Sequence, residues 1–287
     1  MNSVAYCETT AVLDAVFKKY PNLNELLAPY STRVTAQYAK MEIKRGFLHN
    51  LVLLHNKIVL CERWSDVQQY ISNLSSSQRR YQLGTILDAF TRFWKTVEDR
   101  RPSELVKKYG DINQSQIMRR DALSYLRLWI HRLLASIDKY FDEIMNPMNC
   151  FLDLEEPVKK GDLFENKPCR CNESQQECDI KDFFLQNRRE FDLILENLKT
   201  LPASDVDNET KQRISALKKI IKKRLRSSTM HFSNKTQDEQ LCWDCGDAIH
   251  AVLAPTDAAV VNRNGKHYKS ICKALSKECV VYSSPKS

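Results

Sequence analysis

The hydrophobic pattern opens with a short buried run. Residues 3–8, SVAYCE, read as a strand, and Val12, Leu13, Val16 and Phe17 then recur at helical spacing until Pro21 interrupts them. Residues 32–36, TRVTA, read as a second strand. From about Tyr38 to Ile58 the apolar positions lengthen into an amphipathic helix, with Met41, Phe47, Leu48, Leu51, Val52, Leu54 and Leu60 supplying the apolar positions. Helical patterns continue over 64–74 and 78–100, separated by Ser75, Ser76 and Ser77. A further helix is predicted from about Gln114 to Met145, with Leu123, Leu126, Trp129, Ile130, Leu133, Leu134, Ile137 and Phe141 on its apolar face and Pro147 ending it.

Residues 146–178 break the pattern with Pro147, Pro157, Gly161, Pro168 and clustered cysteines, and read as a loop-rich segment. Helix resumes in DIKDFFLQNRREFDLILENLK and again over about 207–226, followed by a polar loop over 227–240. The last block changes character. CGDAIHAVLAP reads as helix, DAAVVN as strand, KHYKSICKALSK as helix and ECVVYS as strand. Strands alternating with helices at both ends of the chain predict an α/β fold with a parallel sheet covered by helices.

Composition narrows this picture. The chain has 287 residues, enough for one large domain or two modest ones. With 43% hydrophobic and 28% charged residues it falls in the globular range, and six glycines disfavour a turn-rich all-β fold. No run of about 20 apolar residues predicts a membrane span. The segment MNSVAYCETTAVLDAVF has no basic start and carries Glu8 and Asp14, unlike a secretory leader, so the expected location is cytoplasmic. The net charge of +8 favours a polyanionic partner such as nucleic acid. Lys218, Lys219, Lys222, Lys223, Arg224 and Arg226 lie opposite an apolar stripe, where a solvated face and a phosphate-binding face are equally good readings.

Four polar positions stand out. Glu8 ends the first predicted strand, Glu42 lies in the helix after the second, Asp247 opens the helix before the strand AAVVN, and Asn264 follows that strand. In an open parallel sheet, ligands bind at the carboxyl ends of the strands. Clustered carboxylates repel unless a cation joins them, and Mg²⁺ or Mn²⁺ suits oxygen donors. Each residue has a structural explanation as well: an ion pair for Glu8, a helix cap for Asp247, a turn for Asn264-Gly265. No Gly-rich phosphate loop, GxSxG or HExxH occurs, which removes the common kinase, P-loop, hydrolase and zincin readings.

The order of these segments resembles the PIN-domain nucleases. VAYCETTAVLDAVF is similar to their opening strand, acid and helix, with Glu8 at the acid and Thr9-Thr10 after it. RVTAQYAKMEIKRGF resembles their second strand and Glu-bearing helix, with Glu42. GDAIHAVLA is similar to their later acidic helix, with Asp247, and VVNRNGKHYKSICKALSK to their last strand–helix element, with Asn264, His267 and Tyr268. The resemblance covers roughly 3–60 and 179–284. It implies a three-layer PIN-like core formed by 1–60 and 179–287, with 61–178 as a mostly helical insertion.

By that resemblance, the function is metal-dependent phosphodiester hydrolysis, chiefly of RNA, in a toxin or defence setting. Glu8, Glu42 and Asp247 would hold Mg²⁺ or Mn²⁺, Asn264 would complete the catalytic set, and Thr10 and His267 would touch substrate. A protein inhibitor or a second copy of the chain would be further partners. The chain departs from the family pattern twice: Glu8 replaces an Asp, and Asn264 stands where Asp is frequent. The competing reading, from another class, is a catalytically weak nucleic-acid-binding or scaffold protein.

The ten cysteines add a second expectation. Cys169, Cys171 and Cys178 in CRCNESQQEC, with Cys242 and Cys245 in CWDC, fit a tetrahedral structural zinc site, with buried thiols and a redox CxxC as alternatives. Cys7, Cys61, Cys150, Cys272 and Cys279 read as unbridged small hydrophobes. His49, His55 and His131 lie in helices with no partner at useful spacing and read as structural.

Overall fold

The computed structural model describes residues 3–17, 21–75, 84, 86–87, 114–148, 156–166, 180–202, 206–219, 221 and 242–282. Two compact units divide the chain. The first is Met1–Met41, Ile137–Asp153 and Arg170–Ser287, and the second is Glu42–Ser136 and Leu154–Cys169. Both boundaries of the 42–136 segment fall inside helices.

The first unit is α/β, built on a five-stranded parallel sheet. Its strands are β1 (Val4–Cys7), β2 (Thr32–Ala36), β3 (Glu143–Met145), then further along the chain β6 (Ala258–Asn262) and β7 (Cys279–Val281), in the spatial order β3-β2-β1-β6-β7. Register is set by Val4 opposite both Thr32 and Ala258, with Val260 opposite Cys279 and Val34 opposite Glu143. The central strands are covered on both faces, and so VAYC and AAVVN are buried runs rather than alternating ones.

Helix α1 (Thr9–Val16) and helix α2 (Pro21–Leu27) carry the chain from β1 outward to β2. Helix α11 (Gly265–Ala274) carries it outward the other way, from β6 to β7. Right-handed crossovers in opposite directions put these helices on opposite faces, compatible with three layers. The strand order thus reverses between β1 and β6, and the carboxyl ends of strands at such a point are where open parallel sheets bind ligands. Gly265 opens α11 because a Cβ there would meet Val281 side-chain carbons at 2.8 Å.

Three sequence expectations change. The helix predicted to run to Met145 stops at Tyr140, as α6 (Gln114–Tyr140), and Glu143–Met145 becomes edge strand β3. Asp142 directs this. Its carboxylate accepts the Arg33 N–H at 2.7 Å and its own N–H donates to the Arg33 carbonyl at 2.9 Å, so the chain runs extended beside β2. The long helix from Tyr38 is divided into α3 (Gln37–Ile43), a π-helical turn (Lys44–Leu48) and α4 (His49–Leu60). The loop-rich segment contains a hairpin of β4 (Val158–Lys160) and β5 (Leu163–Glu165). Its two-residue turn needs positive φ at Gly161, which stands at 61°.

The second unit holds most of α6, α4, helix α5 (Trp64–Ser75) and this hairpin. Phe164 packs edge-on against His55 and His131 at 4.8 and 5.0 Å, and Asn56 bonds both its N–H and its carbonyl. Arg127 donates to His55, which is fully buried. His55 is a packing and hydrogen-bonding group of that core, whereas His131 lies exposed beside it, with Glu156 at 3.9 Å. Among the described residues no helix is long and apolar enough to cross a membrane.

Candidate functional site

The site lies at the carboxyl edge of β1 and β6. Glu8 is the first residue past β1, and its N–H donates to the Val261 carbonyl, extending the β1–β6 ladder by one rung. Its side chain turns back to cap α1. One carboxylate oxygen accepts from Thr10 N–H at 2.8 Å and the other from Ala11 N–H at 3.0 Å. Satisfying two orphan amides at a helix N-terminus is the task of a cap, here taken by a longer side chain than usual.

Glu8 is only 5% exposed, and among the described residues no lysine or arginine pairs with it. Burial pushes its carboxyl up to about 7. The amide of Thr10, His250 and the amide of Ala11 oppose that rise, and the charge of Asp247 adds to it. Glu8 and Asp247 therefore feel one another's charge although 239 positions separate them in sequence (247 − 8).

Asp247 stands in the first turn of α10 (Gly246–Leu253), the helix that leads into β6. Among the described residues this unit also holds α7 (Ile180–Gln186), α8 (Arg188–Lys199) and α9 (Asn208–Lys219). From α9, Arg213 reaches Asp247 Oδ2 at 2.5 Å, with the two side chains 12% and 24% exposed. Asp207 fixes the start of α9 by accepting from both the N–H and the hydroxyl of Thr210 at 2.8 Å, and Lys266 of α11 pairs with it at 3.0 Å.

A third group at this edge is His250, three residues after Asp247 on α10 and almost wholly buried. Its Nδ1 lies 2.8 Å from the Tyr6 hydroxyl and its Nε2 lies 2.9 Å from the Thr9 hydroxyl. Tyr38 packs edge-on against the ring at 5.1 Å and donates its own hydroxyl to the Cys242 carbonyl at 2.7 Å. Sequence reasoning passed over Tyr6, Tyr38, Arg213 and His250 as site residues, and it gave the substrate-facing role to Thr10 rather than to its neighbour Thr9. The available signal was a histidine inside the apolar helix GDAIHAVLA, one turn from the acid.

The other expected residues fall as follows. Glu42 lies on α3, half-buried, and belongs to the second unit. Among the described residues no group of three or more histidine, cysteine, aspartate or glutamate side chains has the arrangement of a metal site. Asn264 is exposed at the start of α11, where its carbonyl accepts from Tyr268 N–H; the buried asparagine of this element is Asn262. Thr10 contributes its amide to Glu8, while the hydroxyl in the network belongs to Thr9. The side chain of His267 lies outside the described residues.

Cys169, Cys171 and Cys178 also lie outside them. Of their expected partners, Cys245 is buried, and burial raises its thiol well above the ordinary value, while the Cys242 thiol points at the Tyr38 hydroxyl at 3.8 Å. The described cysteines carry no disulfide.

Glu8 and Asp247 are the two acids whose charges meet at this edge. They are oxygen ligands of like charge, one of them desolvated and disfavoured as an anion, which a cation would relieve. Arg213 already supplies one positive charge to Asp247. Comparison with protein-family models, with curated proteins and with solved structures finds no match to this chain.

Proposed function

We propose that the chain is a metal-dependent phosphodiesterase of PIN-like design, acting on RNA. The observation that carries this reading is the placement of Glu8. A buried carboxyl whose value is pushed up to about 7 stands at the carboxyl end of the central strand, where the strand order reverses and parallel sheets bind ligands, within electrostatic range of Asp247.

In this reading Glu8 and Asp247 would hold Mg²⁺ or Mn²⁺. When bound, the ion would polarise a phosphoryl oxygen and acidify a water molecule. The chain's own groups do the rest. Glu8 keeps its carboxylate aimed by two backbone amides, so it loses little freedom on taking up a cation. Thr9 offers a half-buried hydroxyl whose direction is set by His250, which is itself fixed between Tyr6, Thr9 and Tyr38. Arg213 neutralises Asp247 and, beside a bound phosphodiester, is a guanidinium suited to phosphate.

The test is hydrolysis of RNA and of single-stranded DNA with Mg²⁺ and Mn²⁺. Glu8→Gln and Asp247→Asn should each lose about 100-fold or more in rate, the scale on which small misplacements at a reacting centre are felt. If Asp247→Asn matches wild type on every substrate, the enzyme reading fails.

The Arg213–Asp247 pair favours a second reading, a nucleic-acid-binding protein with little or no hydrolysis, because one acid is already compensated from within the chain. Retained RNA binding in Asp247→Asn, with no hydrolysis by any form, would select it.

A further inference from the structure

We propose that the outward face of α7 and α8 is a self-association surface, on which a second copy of this chain packs its own α8 antiparallel across a two-fold axis. The surface lies within the first unit and takes in none of the residues assigned to the acidic site.

The two helices are fixed to the unit by their other side. Phe183, Phe184, Phe191, Ile194, Leu195 and Leu198 are buried, and the rings of Phe184 and Phe191 stand 4.4 Å apart. The junction between the helices is tied down as well. Asn187 donates its backbone N–H to the Phe183 carbonyl at 3.0 Å and its side-chain amide to the same oxygen at 2.8 Å. Farther along α8, Asn197 donates to the Ser270 carbonyl of α11 at 2.6 Å. The outward face is thus presented ready-formed, so little ordering entropy opposes its use in binding.

That face is apolar in the middle and charged on either side. Leu185 is 41% exposed and Leu193 is 45% exposed. They line an open groove of about 530 Å³ that also takes in Arg189, Asp192 and Glu196. Arg189, Leu193 and Glu196 follow one another at steps of four and three residues, which places them on a single stripe of the helix. The stripe therefore reads cation, leucine, anion from its amino to its carboxyl end. Arg188 is engaged with Asp192 at 3.6 Å and Glu196 with Lys199, whereas among the described residues no carboxylate pairs with Arg189.

The order of the charges selects the occupant. RNA is disfavoured here, because Asp192 and Glu196 would face its phosphates. A parallel copy would set Arg189 against Arg189. An antiparallel copy crossing at Leu193 sets Arg189 of each chain beside Glu196 of the other, twice by symmetry, and closes the leucines of both chains on one another. Every group the match needs is supplied by this sequence. Each copy offers one helical face, at the low end of specific interfaces, so the dimer dissociates readily, with a Kd of about 10 μM.

The test is sedimentation equilibrium of the full chain from about 1 to about 100 μM, which brackets that Kd. The mass should rise from one chain to two. Leu193→Glu drives a carboxylate into the centre of the pair and should weaken the dimer at least about tenfold. Arg189→Glu and Glu196→Arg should each weaken it about tenfold. The double variant Arg189→Glu/Glu196→Arg reverses both members of the pair and should restore wild-type association. All three side chains are exposed, so every variant should keep the wild-type circular dichroism spectrum. A chain that stays monomeric at about 100 μM overturns the proposal and leaves the face to solvent or to a different protein. So does a dimer that Leu193→Glu leaves intact, or a double variant that associates no better than either single one. None of these results depends on hydrolysis of RNA.

Discussion

The two ends of α1 each bury a carboxylate, and they do it differently. At the carboxyl end Asp14 is 1% exposed and surrounded by partners. The Tyr282 hydroxyl donates to it at 2.8 Å and Arg263 reaches it at 3.3 Å. Burial, with the charge of Asp14 next, pushes the Tyr282 hydroxyl up, so it stays a donor. At the amino end Glu8 is as deeply placed, yet it has two backbone amides and, among the described residues, no cation of its own. Its nearest named charge of like sign, Asp247, works against it. One helix thus carries a carboxylate that the fold has satisfied and another left short of positive charge. The first ties α1 to the ends of β6 and β7. The second is what a cation-binding acid needs, because a fully paired carboxylate has little left to gain from a ligand.

The largest expected effect breaks the satisfied end. Asp14→Ala leaves a buried tyrosine hydroxyl without its acceptor and Arg263 without its counter-ion, and should cost about 3 kcal/mol in denaturant unfolding. An unchanged midpoint would mean that Asp14 is no more engaged than Glu8. The next effect separates the two ends by pH. Glu8 has a folded-state value of about 7 against an ordinary 4.5, so the folded chain holds a proton that the unfolded chain gives up. Its contribution is complete below about pH 4.5 and is lost as pH rises to 7, amounting to roughly 3 kcal/mol. Wild type should therefore weaken between about pH 4.5 and 7, and Glu8→Gln should flatten that decline. A decline that survives in Glu8→Gln assigns it elsewhere.

Part of this contrast was legible in the sequence. The buried runs VAYC and AAVVN, each followed or preceded by an amphipathic helix, were enough to expect a parallel α/β sheet and to put Glu8 at a strand end, because parallel strands covered on both faces must be apolar throughout. Asp247 was legible as a helix-opening acid. The partners were not. Arg213 and Asp247 meet across 34 positions (247 − 213) through the placement of α9, and His250 sits among apolar helix residues, where spacing alone reads as core. Strand β3 was hidden because Phe141 continues the helical spacing of α6. Only the tertiary bonds of Asp142 to Arg33 reveal the break. A pattern reports which face is buried; it does not report which buried group lacks a counter-charge.

A smaller effect sharpens the contrast from the cation side. If Arg213 is the charge that stands in at the acidic pair, Arg213→Met should tighten Mn²⁺ binding about tenfold at pH 8, or roughly 1.4 kcal/mol, measured by titration calorimetry. Asp247→Asn should abolish that gain. Equal Mn²⁺ affinity in wild type and Arg213→Met would show that the guanidinium and the metal do not compete for Asp247.

The smallest expected effect concerns the hydroxyl beside Glu8. Thr9→Val keeps the shape of the side chain and removes the partner of His250 Nε2, a ring that is 1% exposed and reaches Tyr6 through its other nitrogen. Leaving one ring nitrogen buried and unpaired should cost about 1 kcal/mol. Thr9→Ser retains the oxygen and should recover most of that loss. Stability alone would not distinguish a structural bond from one that aims the hydroxyl at substrate. RNA hydrolysis can. If the bond is structural, Thr9→Val and Thr9→Ser should differ in midpoint and agree in kcat. If His250 orients Thr9 for a phosphate, Thr9→Val should lose rate in excess of its loss of stability, and Thr9→Ser should retain it.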